Sequence, residues 1–80
     1  MELIITFKNS HAAIKCKKRT ISKFSTLQLI PTPRDISSEC GFTILLLNVE
    51  ISDFVKEMHN KNLDFENIYI KEDNKFTKMR

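Results

Sequence analysis

Ile30-Pro31-Thr32-Pro33-Arg34-Asp35-Ile36-Ser37-Ser38-Glu39-Cys40-Gly41 holds both prolines, the only glycine and one of the two cysteines of the chain. It separates two apolar runs. Ile30 and Thr32 each precede a proline, which biases both toward extended backbone. Pro31 and Pro33 have fixed φ and no amide to donate, so the segment is stiff and cannot lie in mid-strand. It therefore reads as a rigid connection between a strand that ends near Ile30 and a strand that begins at Phe42. Ser37 stands three residues before Cys40, the spacing at which its hydroxyl can bond the Cys40 amide in one tight turn. Gly41 permits a positive φ directly after the cysteine. The expected product is a stiff loop presenting a thiol, with Arg34 six residues upstream. The plain alternative is an ordinary Pro-rich connection with a buried, inert Cys40, because free cysteine is often buried.

Outward from this loop the elements follow. Glu2–Phe7 is rich in β-branched and aromatic residues and predicts a strand. Lys8-Asn9-Ser10-His11 breaks it, and Asn9 or Ser10 can cap the helix predicted from Ala12 to about Lys23. The apolar positions of that helix are Ala13, Ile14 and Ile21, with Phe24 at its end, a weak helical spacing. Thr26–Ile30 predicts a second strand. Phe42–Leu47 is a continuous apolar run and predicts a central strand buried on both faces. A second helix begins around Glu50–Asp53 and stops at His59-Asn60-Lys61-Asn62. Its Ile51, Phe54, Val55 and Met58 fall at i, i+3, i+4 and i+7, a clean amphipathic pattern. Phe65–Lys71 predicts a fourth strand, and Glu72–Arg80 a polar, frayed tail.

The order βαββαβ with right-handed crossovers predicts an α+β, ferredoxin-like domain over residues 1–71, with residues 72–80 outside it. Its sheet would be four-stranded and antiparallel, with both helices on one face. Other topologies of the same string remain open.

Eighty residues are near the lower limit for a core without staples. No apolar run reaches membrane-spanning length, and no basic n-region or cleavage site follows Met1, so a cytoplasmic protein is expected. Two cysteines make no disulfide framework, and a reducing compartment keeps both as thiols. Without Cys-x-x-Cys, neither thioredoxin-like chemistry nor a zinc knuckle is supported. Two cysteines and two histidines could form a four-ligand set, but no compact spacing favours a metal. No cofactor is expected. A net charge of +3 is too small to imply nucleic acid.

In this topology the loop of Cys40 and the start of the first helix fall at the same end of the sheet. A helix N-terminus favours anions, and a thiolate or terminal persulfide is one. With the fixed cation of Arg34, such surroundings lower a thiol pKa below the ordinary ~8.5. Cys40 is therefore expected to be nucleophilic and partly exposed. Ser10 belongs to the same end. His11 is either a proton carrier for Cys40 or an exposed first-turn residue, and the second is the better reading because a helix N-terminus repels imidazolium. Cys16 is either a resolving thiol or a small packing residue at the edge of the apolar arc, beside Ala13 and Thr20; packing is the commoner role. Lys17 falls near the middle of that arc. Lys15, Lys17, Lys18, Arg19 and Lys23 make the helix basic, either a solvated face or a docking surface for an acidic partner protein. No RNP-type or helix-turn-helix pattern accompanies them, so nucleic acid is not the partner expected.

The run LIPTPRDISSECG resembles the signature of the selenium/sulfur carrier protein-like family of small bacterial proteins, close to Ile-Pro-Thr-Pro-Arg-x-Ile-Ser-Ser-x-Cys-Gly. Ile30, Pro31, Thr32, Pro33, Arg34, Ile36, Ser37, Ser38, Cys40 and Gly41 match it without a gap. The resemblance extends more weakly from about Leu3 to Tyr69, and it agrees with the ferredoxin-like arrangement. Two departures stand out. Relatives often carry an acidic residue near Lys17, and a glycine commonly ends their first helix where Ser22-Lys23-Phe24-Ser25 stands here. The resemblance implies that Cys40 takes sulfur or selenium from a donor such as a cysteine desulfurase and passes it to a recipient enzyme. Arg34, Ser37, Ser38 and Gly41 would stabilise the anion, and Pro31 and Pro33 would limit loop entropy. Such a carrier need not be an enzyme in its own right. The rival reading is a non-catalytic interaction module with a structural Cys40, separated from the first by whether the native thiol can be labelled.

Overall fold

A computed structural model describes residues 2–36 and 41–80. Within them the order is β1 (Glu2–Thr6), α1 (Ser10–Thr20), β2 (Gln28–Pro31), β3 (Phe42–Leu47), α2 (Ile51–Asn60), β4 (Asn67–Glu72) and β5 (Lys75–Lys78). The five strands form one antiparallel sheet in the order β2-β3-β1-β4-β5.

Register explains the core. Leu3 pairs with Leu46 and Ile70, and Ile5 with Ile44 and Ile68. Successive strand residues alternate faces, so these side chains share one face. Leu3, Ile5, Ile44, Leu46 and Ile68 are fully buried there. They form one cluster with Ala13 and Cys16 of α1 and Phe54 and Met58 of α2. Both helices thus cover the same face. Phe54 lies between Phe24 and Phe65, at ring-centroid distances of 6.0 and 5.8 Å, an ordinary spacing for attractive aromatic pairs.

α2 follows its sequence pattern: Phe54 and Met58 are buried, and Ile51 and Val55 are half-buried against the core. α1 differs. It ends at Thr20 rather than near Lys23, and its buried face is Ala13, Cys16 and Thr20. Ile14 is half-buried, and Ile21 is exposed. Small side chains let this helix lie close to the sheet, so packing sets the helix phase and the large aliphatic residues do not. The Thr20 hydroxyl donates to the Cys16 carbonyl at 2.7 Å and is satisfied within the helix.

Two expectations about the sheet are corrected. β1, not β3, is the strand buried on both faces. Ile4 and Thr6 on the helix-free face are 2% and 6% exposed, whereas Leu45 and Leu47 of β3 remain half-buried. β1 is the middle strand, and β3 is flanked on one side only by the four-residue edge strand β2. The sheet also has five strands instead of four. The polar run after Glu72 turns back as β5, with Tyr69 opposite Lys78 and Lys71 opposite Phe76. Asp73 and Asn74 both have positive φ, at 49° and 64°, the signature of a two-residue type I′ hairpin. Phe76 is half-buried, and the Lys71 ammonium lies 5.9 Å from its ring centroid.

Candidate functional site

Pro31 is the last residue of edge strand β2 and pairs with Phe42, a position where a missing amide costs no interior ladder bond. One step further out, the Thr32 amide donates to the Gly41 carbonyl at 3.0 Å. This bond closes the connection between β2 and β3. Inside it, the Ile36 amide donates to the Pro33 carbonyl at 3.1 Å, making a turn that carries Arg34 and Asp35 at its exposed corner.

The start of α1 meets this closure. Asn9 is extended, with φ −160° and ψ 169°, and its side-chain oxygen accepts from the Ala12 amide at 2.8 Å. Asn9 is thus the N-cap, and Ser10 is the first helical residue. A Cβ placed on Gly41 would lie 3.6 Å from Ser10 Oγ and 3.8 Å from Thr32 Oγ1. The glycine therefore stands beside two hydroxyls. It is not among the residues with positive φ. The left-handed conformation expected at Gly41 is not adopted, and the space beside it would accept a methyl group in ordinary contact.

A cleft of about 240 Å³ opens at this junction. Ser10, Thr32, Ile36, Gly41, Thr43 and Tyr69 all line it. The first turn of α1 contains no acidic residue, so the partial positive charge of the helix end is not offset within that turn. Lys8 and Glu66 also border the cleft.

The structure brings Ser10 and Gly41 together, while the expectation that Ser10 shares an end of the sheet with Cys40 falls on a residue outside those described. Cys40, Ser37 and Ser38 lie outside the described residues. Arg34 is exposed on its turn, and neither it nor His11, also exposed, lines the cleft. Cys16 is in the core. It is 1% exposed, its sulfur lies 3.5 Å from Met58 Sδ, and burial pushes its thiol up to about 11, partly offset by its contact with the Thr20 hydroxyl. That environment suppresses the thiolate a resolving cysteine would need. Thr43 and Tyr69 were not singled out from the sequence. Thr43 had one signal: it is the one polar residue in Phe42–Leu47. Among the described residues, no group of three or more His, Cys, Asp or Glu side chains could hold a metal ion, and no helix is long and apolar enough to cross a membrane.

Residues 2–70 match the family model described as "Putative Se/S carrier protein-like". The chain belongs to this family. Membership in the Se/S carrier protein-like family covers every element from β1 to within β4 and the whole Ile30–Gly41 motif, and it leaves β5 outside. No curated protein and no solved structure matches the chain.

Proposed function

We propose that this protein is a covalent carrier of sulfur or selenium, with Cys40 as the attachment point. The observation that carries the reading is the junction at Gly41, the residue bonded to Cys40. There the closed end of the β2–β3 connection meets the N-terminus of α1 beside a polar cleft. The description of the family to which the chain belongs supports the carrier role. The first four strands, taken in the order β2-β3-β1-β4, fit a ferredoxin-like βαββαβ frame to which β5 is added at one edge.

The chemistry is thiol exchange. The Cys40 thiolate attacks the outer chalcogen of a donor cysteine persulfide. The donor's bond between that atom and its own sulfur breaks, and the donor cysteine leaves as a thiolate. A new bond forms on Cys40, which now holds the outer atom as an anion. The transfer is redox-neutral, and the only proton lost is that of the Cys40 thiol before attack. A recipient enzyme repeats the exchange in the other direction. Donor and recipient are proteins, with a cysteine desulfurase as the donor we favour. Pro31 and Pro33 hold the connection stiff, and Arg34, Ser37 and Ser38 offer a cation and two hydroxyl donors to the anion.

Native-state alkylation tests this reading. Iodoacetamide at neutral pH should label Cys40 in the folded protein and leave Cys16 unlabelled until denaturant is added. A Cys40 that labels only on unfolding would contradict the proposal and favour a structural cysteine.

A further inference from the structure

Charge is unevenly divided along the chain. Residues 3–34 hold seven lysines and arginines and no acidic residue. Lys15, Lys18 and Arg19 are exposed on α1. None of them forms an ion pair among the described residues, where the one ion pair joins Lys61 to Glu57 at 3.4 Å.

An apolar strip runs beside these cations. α1 buries Ala13, Cys16 and Thr20 and lies over β2 and β3. At about 3.6 residues per turn, Ile14, Lys17 and Ile21 share one flank of the helix, and Ala12 and Arg19 share the other. Ala12 packs on the core and borders Phe65, just before β4. The flank of Ile14 and Ile21 therefore faces the opposite way, toward the β2 edge of the sheet. Ile14 is half-buried there, and Ile21 is 38% exposed. The sheet continues the strip. Leu29 pairs with Ile44 and Pro31 with Phe42, so all of them lie on the helix-bearing face. Pro31 is exposed, and Phe42 is 41% exposed. Among the described residues the exposed large hydrophobics are Ile21, Phe42 and Met79, and two of these three belong to the strip.

We propose that the outer flank of α1 and the adjoining β2 edge form a docking surface for a partner protein whose contact face is apolar at its centre and acidic around it. Ile14, Ile21 and Phe42 meet the centre, and Lys15, Lys17 and Lys18 meet the acidic rim. Other occupants fit less well. An added strand finds Pro31 on the edge, without an amide to donate. A nucleic acid finds two isoleucines among the cations, which offer neither charge to a phosphate nor a ring to a base. A second copy offers Glu50, Asp53 and Glu57 around α2, where Lys56 intervenes and Glu57 is already paired with Lys61. An acidic protein face matches both the charge and the aliphatic side chains, whatever Cys40 carries.

The test is an amide NMR titration of the reduced wild-type protein with two acidic helical peptides of the same composition. In one, leucines form a stripe flanked by glutamates; in the other, they are scattered around the helix. Shifts at Ile14, Ile21, Leu29 and Phe42 should saturate with the striped peptide, and the scattered peptide should bind about tenfold more weakly. Lys15→Glu with Lys18→Glu should weaken the striped peptide about tenfold, and Ile21→Ser about threefold. Lys75→Glu with Lys78→Glu, the same charge change on β5 at the far edge, should leave the affinity within about twofold. All five positions are exposed, and the same spectra report that each variant is folded. Shifts that do not saturate, equal affinity for the two peptides, equal losses from the two charge reversals, or an Ile21→Ser variant that binds like wild type would overturn the inference. So would oligothymidylate that binds these amides more tightly than the striped peptide, which assigns the surface to nucleic acid. Shifts there on dilution of the protein alone would assign it to a second copy and overturn the inference as well. Loading of Cys40 is read separately by mass, so the carrier reading and this surface can fail independently.

Discussion

The Thr32 amide donates to the Gly41 carbonyl at 3.0 Å, and this single bond continues the β2–β3 ladder past Pro31. It fixes Gly41 against Ser10, and so sets the end of the loop against the end of a helix. The space at Gly41 is sufficient for a methyl group, at 3.6 Å from Ser10 Oγ and 3.8 Å from Thr32 Oγ1. Gly41→Ala should therefore fold, with stability unchanged or raised by about 0.4–1 kcal/mol through the unfolded state. Urea unfolding checks this, and a loss above that size would mean that the backbone there needs glycine.

Asn9 holds the entry to α1 through its bond to the Ala12 amide. Asn9→Ala should cost about 1 kcal/mol, read as a lower urea midpoint with an unchanged slope. Asn9→Ser should recover most of it.

Cys16 gives the fold a pH dependence at the alkaline end. Its pKa is raised by burial to about 11 in the folded protein from an ordinary 9.0. Its contribution is fully present below pH 9, where the thiol is protonated in both states. Above that, the unfolded chain loses the proton first, so stability falls as pH rises toward 11. A shift of this size corresponds to roughly 2–3 kcal/mol. Comparing wild type with Cys16→Ala between pH 8 and 11 isolates it, because the variant lacks this component of the slope.

Phe54 is fully buried between two other phenylalanines. Phe54→Ala should cost about 3–5 kcal/mol, enough to unfold a domain of this size at physiological temperature. Phe54→Leu should remain folded with a lower melting temperature.

The turn between β4 and β5 needs two left-handed residues, Asp73 and Asn74. Asn74→Gly should be neutral or stabilising, and Asn74→Val should cost about 1–2 kcal/mol. A melting temperature unchanged in the valine variant would argue against the hairpin.

That turn shows where the sequence was hard to read. Asp-Asn is a weaker hairpin signal than Asn-Gly, and β5 carries only Phe76 as a large apolar residue, so pattern alone leaves the segment as a tail. β3 and α2 were legible because their apolar residues form a run interrupted only by Thr43 and a clean i, i+3, i+4, i+7 spacing. α1 was legible in existence but not in phase, since Ala13, Cys16 and Thr20 pack by being small. At the candidate site, the topology βαββαβ puts the start of α1 and the β2–β3 connection at one end of the sheet, where Ser10 meets Gly41. The cleft was not legible, because Thr43 and Tyr69 reach it from strands β3 and β4, which are far apart in sequence and joined only through β1.

The central claim is that Cys40 accepts the cargo, and intact mass tests it most directly. Wild type, Cys40→Ser and Cys16→Ser proteins would be incubated with a cysteine desulfurase and cysteine, then weighed without reductant. The account predicts one added sulfur, about 32 Da by atomic mass, on wild type and Cys16→Ser and none on Cys40→Ser. Wild type that gains no sulfur, or Cys40→Ser that gains as much as wild type, would contradict it.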